Sequence, residues 1–429
     1  MCSDRRHAID PSTRAAARDL VVRWFDVLAR GTADPVAGIT RASYGPGEQF
    51  AHDFLRAEAA ALGLGIAQDA ALNSYMSLPG RDLHAPAIMI GSHLDSVSQG
   101  GNFDGAAGVV AGLAALFMLQ RQRVALRGDV TVMGVRAEES AWFQTSYIGS
   151  RAALGRLAPE ALQCRRVDTR TSLADHMRQQ GGDPDALLAG PPFLDPARIR
   201  AFMEVHIEQA PSLVEAGVPL GIGTGIPGNF RYPEITVVGD TAHVGLPRRF
   251  RRDALVAAAR FVARMDALWQ RWEDEGRSMA FTVGRLHTDA ANDAMTKVAG
   301  EARFSLDVRA YDAGDVTALH DDVLAIVSAL QEECGVRFEL GRRTHAPVAT
   351  AAPDIQATLA ELARARGIPC VPLASPASHD AAVFHEAGVP MGLLFVRNRN
   401  GSHNPHEAMD IDDFMLAVDV LADWLMAQG

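Results

Sequence analysis

Strand-period and helix-period segments alternate along roughly the first half of the chain, break off, and then resume near the C-terminus; that interruption constrains the fold more than any other feature. "PSTRAAARDLVVRWFDVLARG" (11–31) and "EQFAHDFLRAEAAALG" (48–63) repeat apolar residues at helical spacing, the second ending on a glycine stop. "APAIMIGS" (85–92) reads as a buried strand and "GAAGVVAGLAALFMLQ" (105–120) as a buried helix. "GDVTVMGVRA" (128–137) and "AFMEVHIEQA" (201–210) are further strands. Such alternation predicts an α/β layered sheet with helices on both faces. The middle reads differently: "YPEITVVGDTAH", a long amphipathic helix from Arg252, "MAFTVGRLH", "ARFSLDVRA", a second long helix from Asp315, then "VRFELGRR". That β-α-β-β-α-β order is a split βαβ, ferredoxin-like unit, placed over 218–340. A helix (353–367), a strand (388–398) and a final helix (410–428) then restore the first pattern. The expected architecture is a discontinuous α/β domain, 1–217 and 341–429, interrupted by a smaller one. The length of 429 residues also exceeds what one compact core ordinarily holds.

Composition removes several classes of function. No apolar run approaches the ~20 residues of a membrane span, and the start, "MCSDRRHAIDPSTR", has no apolar leader core. A net charge of −11 argues against a nucleic-acid partner; the basic run "PRRFRR" (247–252) reads as a solvated helix start. Cys2, Cys164, Cys334 and Cys370 form no CxxC pair and read as free thiols of a reducing, cytoplasmic compartment. Neither a GxSxG elbow nor a phosphate loop is present.

What remains are 14 histidines, several beside acids. "IMIGSHLDSVSQGGNFDGAAGVVAG" (88–112) sets His93, Asp95 and Asp104 at one strand-to-helix passage. Side chains two apart on a strand face the same way, so the Asp95 carboxylate is expected to take the second N–H of His93 and orient it as a ligand. Asp104 alone reads first as a helix N-cap. Glu138 and Glu139 end the strand 128–137, and their mutual repulsion vanishes if a cation sits between them. His206 lies near the end of the strand in "EVHIEQ", and His403 follows the last strand in "GSHNPHE". Each histidine alone is more often structural than ligating. Four strand-like runs that all end in a metal-capable residue are another matter, because ligands collect beyond the carboxyl ends of strands in open α/β sheets. Three His, one Asp and one Glu suit zinc or a similar divalent metal, and a bridging carboxylate would let two ions sit ~3.5–4 Å apart.

Together "GSHLDSVSQGGNFDGAAGVVAG", "EES", "HIEQ" and "SHNPHE" resemble the binuclear amidohydrolases that include N-carbamoyl-L-amino acid hydrolase, β-ureidopropionase and allantoate amidohydrolase, within the wider aminoacylase and zinc-carboxypeptidase superfamily. The resemblance runs from "GITRASYGPGEQ" to the final helix. It implies a catalytic domain with an inserted lid that also forms a homodimer, and two divalent ions per subunit: Zn2+, with Mn2+, Co2+ or Ni2+ as alternatives. It implies that Asp104 bridges the ions, that His93 and His206 complete one site and Glu139 and His403 the other. Asp95 would support His93, Glu138 would be the general base, and Gln209 would meet the substrate near the metals. In the lid, His243 ("GDTAHVGLP") matches a histidine that reaches the scissile carbonyl across the dimer, and Arg309 ("LDVRA") one that clamps the substrate carboxylate.

The chain departs from the family where substrate would be met. Thr296 stands for an asparagine and Ala299 for a proline in "TKVAG"; Asn229 and Phe230 replace Gln and Arg in "GNFR". Trp142 enters the metal loop in "EESAWF", and Pro376 replaces a glycine beside Ser375 and His379 in "SPASHDA". The implied reaction is hydrolysis of a linear amide or ureido C–N bond, on a substrate bulkier or more apolar than a plain ureido acid, with Asn229, Thr296, Ser375 and His379 among its contacts. An aminoacylase or dipeptidase is the rival enzyme reading. A non-catalytic binding homologue is the rival outside enzymes, and no ligand or base is missing to support it.

Overall fold

The computed structural model describes residues 9–429, so the readings placed on Cys2 and the first eight residues fall outside it. The chain forms two compact units, Met1–Ile226 with Thr350–Gly429, and Pro227–Ala349.

In the first unit a nine-stranded sheet runs in the spatial order Gly65–Gln68, Ser74–Leu78, Val130–Val135, Ala87–His93, Ile199–Ile207, Met391–Val396, Leu220–Ile226 and Ala349–Thr350, with Cys370–Ala374 also paired to Leu220–Ile226. The four central strands, Val130–Val135, Ala87–His93, Ile199–Ile207 and Met391–Val396, are mutually parallel. Their carboxyl ends therefore open on one edge of the sheet. Register aligns His93 with Val135, and His206 with Phe395. Continuous apolar runs suit strands covered on both faces, and all six residues of Met391–Val396 are buried.

Helix Ala106–Arg121 is apolar almost all round because it is buried almost all round. It packs on strands Ala87–His93 and Ile199–Ile207 and against helices Pro11–Gly31 and Ile411–Met426. Gly108 sets its distance from the sheet: a Cβ there would meet the Val205 carbonyl oxygen at 2.5 Å and the Ser92 Cβ at 2.6 Å. This explains the small-residue pattern "GAAGVVAG".

The second unit is an antiparallel sheet ordered Leu286–Thr288, Glu301–Ala310, Gly228–Val238, Arg337–Glu339, with Met279–Thr282 and Thr344–Ala346 attached to the two central strands. Helices Ala254–Asp274 and Ala313–Cys334 pack on it, capped by Asp253 and Asp312, whose carboxylates accept amide N–H bonds from the first turn. The first and third strands of the motif are central, as the split βαβ order requires. "MAFTVGRLH", read as one strand, is two: Met279–Thr282 and Leu286–Thr288, both paired to Glu301–Ala310.

The sequence-derived limits of the insertion need correction at both ends. Residues 220–226 belong to the first unit, because strand Leu220–Ile226 pairs with Met391–Val396. Residues 344–346 belong to the second, because Thr344–Ala346 pairs with Gly228–Val238. A strand's hydrogen-bond ladder, invisible to composition, decides which unit owns it. Among the described residues no helix is long and apolar enough to cross a membrane.

Candidate metal centre

His93 is the last residue of its strand, and the chain's turn after it fixes the ring. Its Nδ1 lies 3.0 Å from the Asp95 carbonyl oxygen. A carbonyl can only accept, so Nδ1 carries a proton and Nε2 offers a lone pair outward. His206 is oriented the same way: Nδ1 lies 2.9 Å from the Ile207 carbonyl, and Nε2 accepts the Gly105 N–H at 3.1 Å. Both Nε2 atoms stand 3.3 Å from Asp104 Oδ1. The other oxygen of Asp104 faces elsewhere. Its Oδ2 is 3.5 Å from His403 Nε2, which lies 3.0 Å from Glu139 Oε1. One carboxylate thus serves two clusters, His93–Asp104–His206 and Asp104–Glu139–His403, each with ligand atoms within 4.8 Å of one another.

Asp104 Oδ1 is buried and meets no hydrogen-bond donor. An anionic oxygen so placed is costly unless a cation joins it, a divalent ion or, in the metal-free chain, protonated His93 and His206, and imidazole and carboxylate donors suit a divalent metal. The residues therefore fit such an ion. Gly105 makes the approach feasible: it sits at φ 64°, and a Cβ there would fall 2.5 Å from the His93 ring. Ala137, Gln209 and His403 also hold left-handed φ values of 51°, 67° and 59°. Each such residue costs ~1–3 kcal/mol, and all three adjoin or belong to the centre.

The Glu138–Glu139 backbone is pinned from several sides. The Asp95 carboxylate accepts the N–H of Glu138 at 3.0 Å and of Glu139 at 3.2 Å, and the Ser43 hydroxyl at 2.6 Å. Glu48, fully buried, accepts the Ala137 N–H at 2.8 Å and pairs with Arg136 at 3.0 Å. Asp95 thus meets His93 twice, through its carbonyl and through its carboxylate, 3.4 Å from Nδ1. The same carboxylate also holds the glutamate loop. The N-cap reading of Asp104 fails. Gly105 caps the helix, with no side-chain cap bond, and Asp104 Oδ2 accepts from Gln209 Nε2 at 2.7 Å and from Ser402 Oγ.

Burial and the neighbours Glu139, Asp380 and Asp95 push the Glu138 carboxyl well above its usual range, against the opposing pull of His93. Burial disfavours a charged His93, but Asp104 and Asp95 outweigh it and hold its pKa high. The Glu139 hydrogen bond raises His403 from 6.5 to about 9. A raised folded-state value means that the Glu139–His403 pair stabilises the metal-free chain fully below pH 6.5 and ceases to do so as pH rises through about 9. In chelator-treated protein, the thermal-midpoint advantage of wild type over His403→Asn should shrink across that window. An advantage independent of pH would contradict the pairing.

Ser375 and His379 are buried; Ser375 Oγ lies 2.8 Å from His379 Nε2, whose ring centroid is 4.4 Å from that of His206. Burial and the adjacent His206 keep His379 neutral. These contacts back His206. Trp142 is buried among Tyr44, Phe143 and Leu173 and donates to the Ser96 carbonyl at 2.7 Å. It packs the metal loop and presents no apolar wall to a substrate.

In the second unit, His243 ends the short strand Ala242–His243, paired with Lys297–Val298. The Gly245 N–H donates to its Nδ1 at 3.1 Å, which leaves the ring proton on Nε2. Thr296 lies alongside, its carbonyl accepting the Val244 N–H at 2.9 Å. Asn229 and Arg309 are directly opposite on adjacent strands, and Arg309 lies 3.2 Å from both carboxylate oxygens of Asp307. Phe230 faces the unit's core, its ring centroid 5.1 Å from that of His320. Phe230 and Trp142 therefore add nothing to the expectation of a bulkier or more apolar substrate. Sequence reading also passed over Arg41, Ser43, Glu48, Arg136, Ser402 and Glu407. The signal available was the place of Arg136 in "GDVTVMGVRA", just before Glu138, and of the others in "GITRASYGPGEQ" and "SHNPHE".

A metal centre at the carboxyl edge of a parallel sheet, with a buried glutamate beside it, defines a metallohydrolase class. The chain belongs to peptidase family M20/M25/M40, whose model matches residues 89–427. It is 33% identical to an N-carbamoyl-L-amino acid amidohydrolase of Geobacillus stearothermophilus, over 95% of this chain and 98% of the relative. To an allantoate amidohydrolase of Escherichia coli it is 29% identical, over 94% and 96%. The crystal structure of a hydantoinase/carbamoylase family amidase from Burkholderia multivorans superposes with a TM-score of 0.85 at 25% identity, over 96% of this chain and 97% of that one.

Proposed function

We propose that the chain is a metal-dependent amidohydrolase that cleaves a linear amide or ureido C–N bond of an N-carbamoyl or ureido amino acid. The observation that carries this reading is Asp104, whose two oxygens face two ligand clusters beside buried Glu138. The relatives named for N-carbamoyl-L-amino acid and allantoate hydrolysis support the substrate class. His93, Asp104 and His206 would hold one divalent ion and Asp104, Glu139 and His403 a second, with Zn2+ the best match to this donor set. Such ions supply Lewis acidity to the scissile carbonyl and make water acidic enough to attack near neutrality.

The rest is the work of side chains. Glu138 takes the proton of the attacking water and hands it to the departing nitrogen; a carboxyl whose surroundings favour the protonated form is suited to that exchange. Asp95 keeps Glu138 and Glu139 in place through their amides. His243, with its proton on Nε2, would donate to the developing oxyanion, and Arg309 would take the substrate carboxylate after exchanging part of its hold on Asp307. Gln209 starts on Asp104 Oδ2 and would turn to substrate there; Asn229 and Thr296 flank Arg309 and His243 in their own unit. A homodimer formed through the second unit, in the cytoplasm, completes the proposal.

The family model's description as a peptidase family favours one second reading, hydrolysis of N-acyl amino acids or peptides. Metal-reconstituted protein assayed against N-carbamoyl amino acids, allantoate, N-acetyl amino acids and dipeptides separates the two. Turnover is expected on the first two groups. Activity confined to acyl or peptide bonds overturns the choice.

A further inference from the structure

The loop 100–104, which delivers Asp104 to both clusters, is gripped by two buried charged residues that the proposed mechanism leaves unused. On one side is Arg41, fully buried. Its Nη2 donates to the carbonyls of Asn102 at 2.9 Å and Gly101 at 3.5 Å. On the other side is Glu407. Its Oε1 accepts the N–H of Phe103 at 2.8 Å and of Asp104 at 3.3 Å. Its Oε2 lies 2.8 Å from Ser402 Oγ, the hydroxyl that also touches Asp104 Oδ2. Gly101 leaves the room for this, since a Cβ there would fall 2.1 Å from the Glu407 carboxyl carbon. The segment carrying Arg41 is itself laced to the loop. Ile39 and Gly100 exchange backbone hydrogen bonds of 2.9 and 2.8 Å, and Ser96 N–H donates to the Arg41 carbonyl at 2.9 Å.

We propose that Arg41 and Glu407 are positioning residues that clamp the carbonyl and amide sides of the loop and so fix the Asp104 carboxylate between the two clusters. The two do different jobs from ordinary packing. Arg41 Nε and Nη1 have no hydrogen-bond partner, and burial outweighs the nearby charges of Glu407, Asp104 and Asp95. A purely structural position would be better served by an apolar side chain. The grip on Gly101 and Asn102 is what the guanidinium provides. Partners that orient metal-binding groups in this way are worth ~10–100-fold in metal affinity or activity.

The inference rests on the metallohydrolase reading above, and the test separates the two. Full-length metal-free wild type and the variants Arg41→Met, Arg41→Lys, Glu407→Met and Glu407→Gln are titrated with Mn2+ by equilibrium dialysis, with metal-free thermal midpoints measured in parallel. Both Met variants should bind Mn2+ ~10–100-fold more weakly than wild type at metal-free midpoints close to its own. Glu407→Gln, which can still accept both amides and reach Ser402, should recover most of the affinity, and Arg41→Lys should fall between. In reconstituted enzyme, kcat should drop with KM little changed. Met variants that bind Mn2+ like wild type overturn the clamp. If a Met variant does not fold, Arg41→Lys decides: affinity equal to wild type overturns the clamp and weaker binding at an unchanged midpoint supports it. A wild type that takes up neither Mn2+ nor, in a parallel dialysis, Zn2+ overturns the metallohydrolase reading and the clamp with it.

Discussion

Glu138→Gln protein is expected to bind divalent metal as wild type does and to turn over ~10²–10⁴-fold more slowly. Glutamine keeps the shape and the backbone contacts with Asp95, because those use the Glu138 N–H. It cannot hold a proton in transit. The expected loss lies in kcat, with KM nearly unchanged, since the missing interaction is made only as the water attacks. Stability gives an independent check. Burial and neighbouring carboxylates raise the Glu138 pKa in the fold well above the ordinary glutamate value of 4.5. A raised acid stabilises the metal-free fold below that unfolded value and loses this contribution as pH climbs through the folded one. Metal-free Glu138→Gln should therefore be no less stable than metal-free wild type at pH 8. Turnover near the wild-type rate in a metal-loaded Gln variant would show that another group takes the proton.

The centre was visible in the sequence where chemistry and chain geometry coincide. His93, His206, Glu139 and His403 each sit at or just past the end of an apolar strand run, and parallel strands bring such ends to one edge. Periodicity therefore gathers metal-capable residues at one edge without tertiary information, while the choice of Glu139 over Glu138 as a ligand comes from the family resemblance alone. What it could not give was the direction of a carboxylate. Asp95 lies two residues from His93 and its carboxylate stays 3.4 Å from Nδ1, yet the same carboxylate also takes amides 43 and 44 positions away, which residue spacing alone does not show. Asp104 precedes a helix, yet Gly105 with φ 64° takes the cap and frees the carboxylate. Arg41 and Glu407 grip backbone atoms 61 and 303 positions distant, and backbone partners leave no mark in residue types. Substitutions at a motif point to the pocket whichever way the side chain faces, and the Phe230 and Trp142 side chains fill cores. The limits of the insertion moved because strand Leu220–Ile226 is assigned by its pairing, and its own composition, rich in glycine, points to neither unit.

Asp104→Asn should be the most damaging single change at the centre. Each cluster contains one oxygen of this carboxylate, so a carboxamide removes the anionic donor from one or the other and the negative charge from both. Losses of ~10–100-fold at each cluster compound to ~10²–10⁴-fold in the binding of a metal pair, and turnover should fall at least as far. The metal-free chain should suffer too. Burial alone would raise the Asp104 pKa, but His206 and His93 outweigh it and hold it well below 3.8. The ionised carboxylate thus stabilises the metal-free fold at all pH above 3.8, and that contribution is lost only as pH falls further. Asn cannot supply it, so the metal-free midpoint should drop at pH 7 and converge with wild type in strong acid. The outcomes discriminate between arrangements. Loss of both ions fits a carboxylate shared by the clusters, retention of one ion assigns Asp104 to a single cluster, and retention of both with near-normal turnover removes the shared carboxylate on which the proposed function stands.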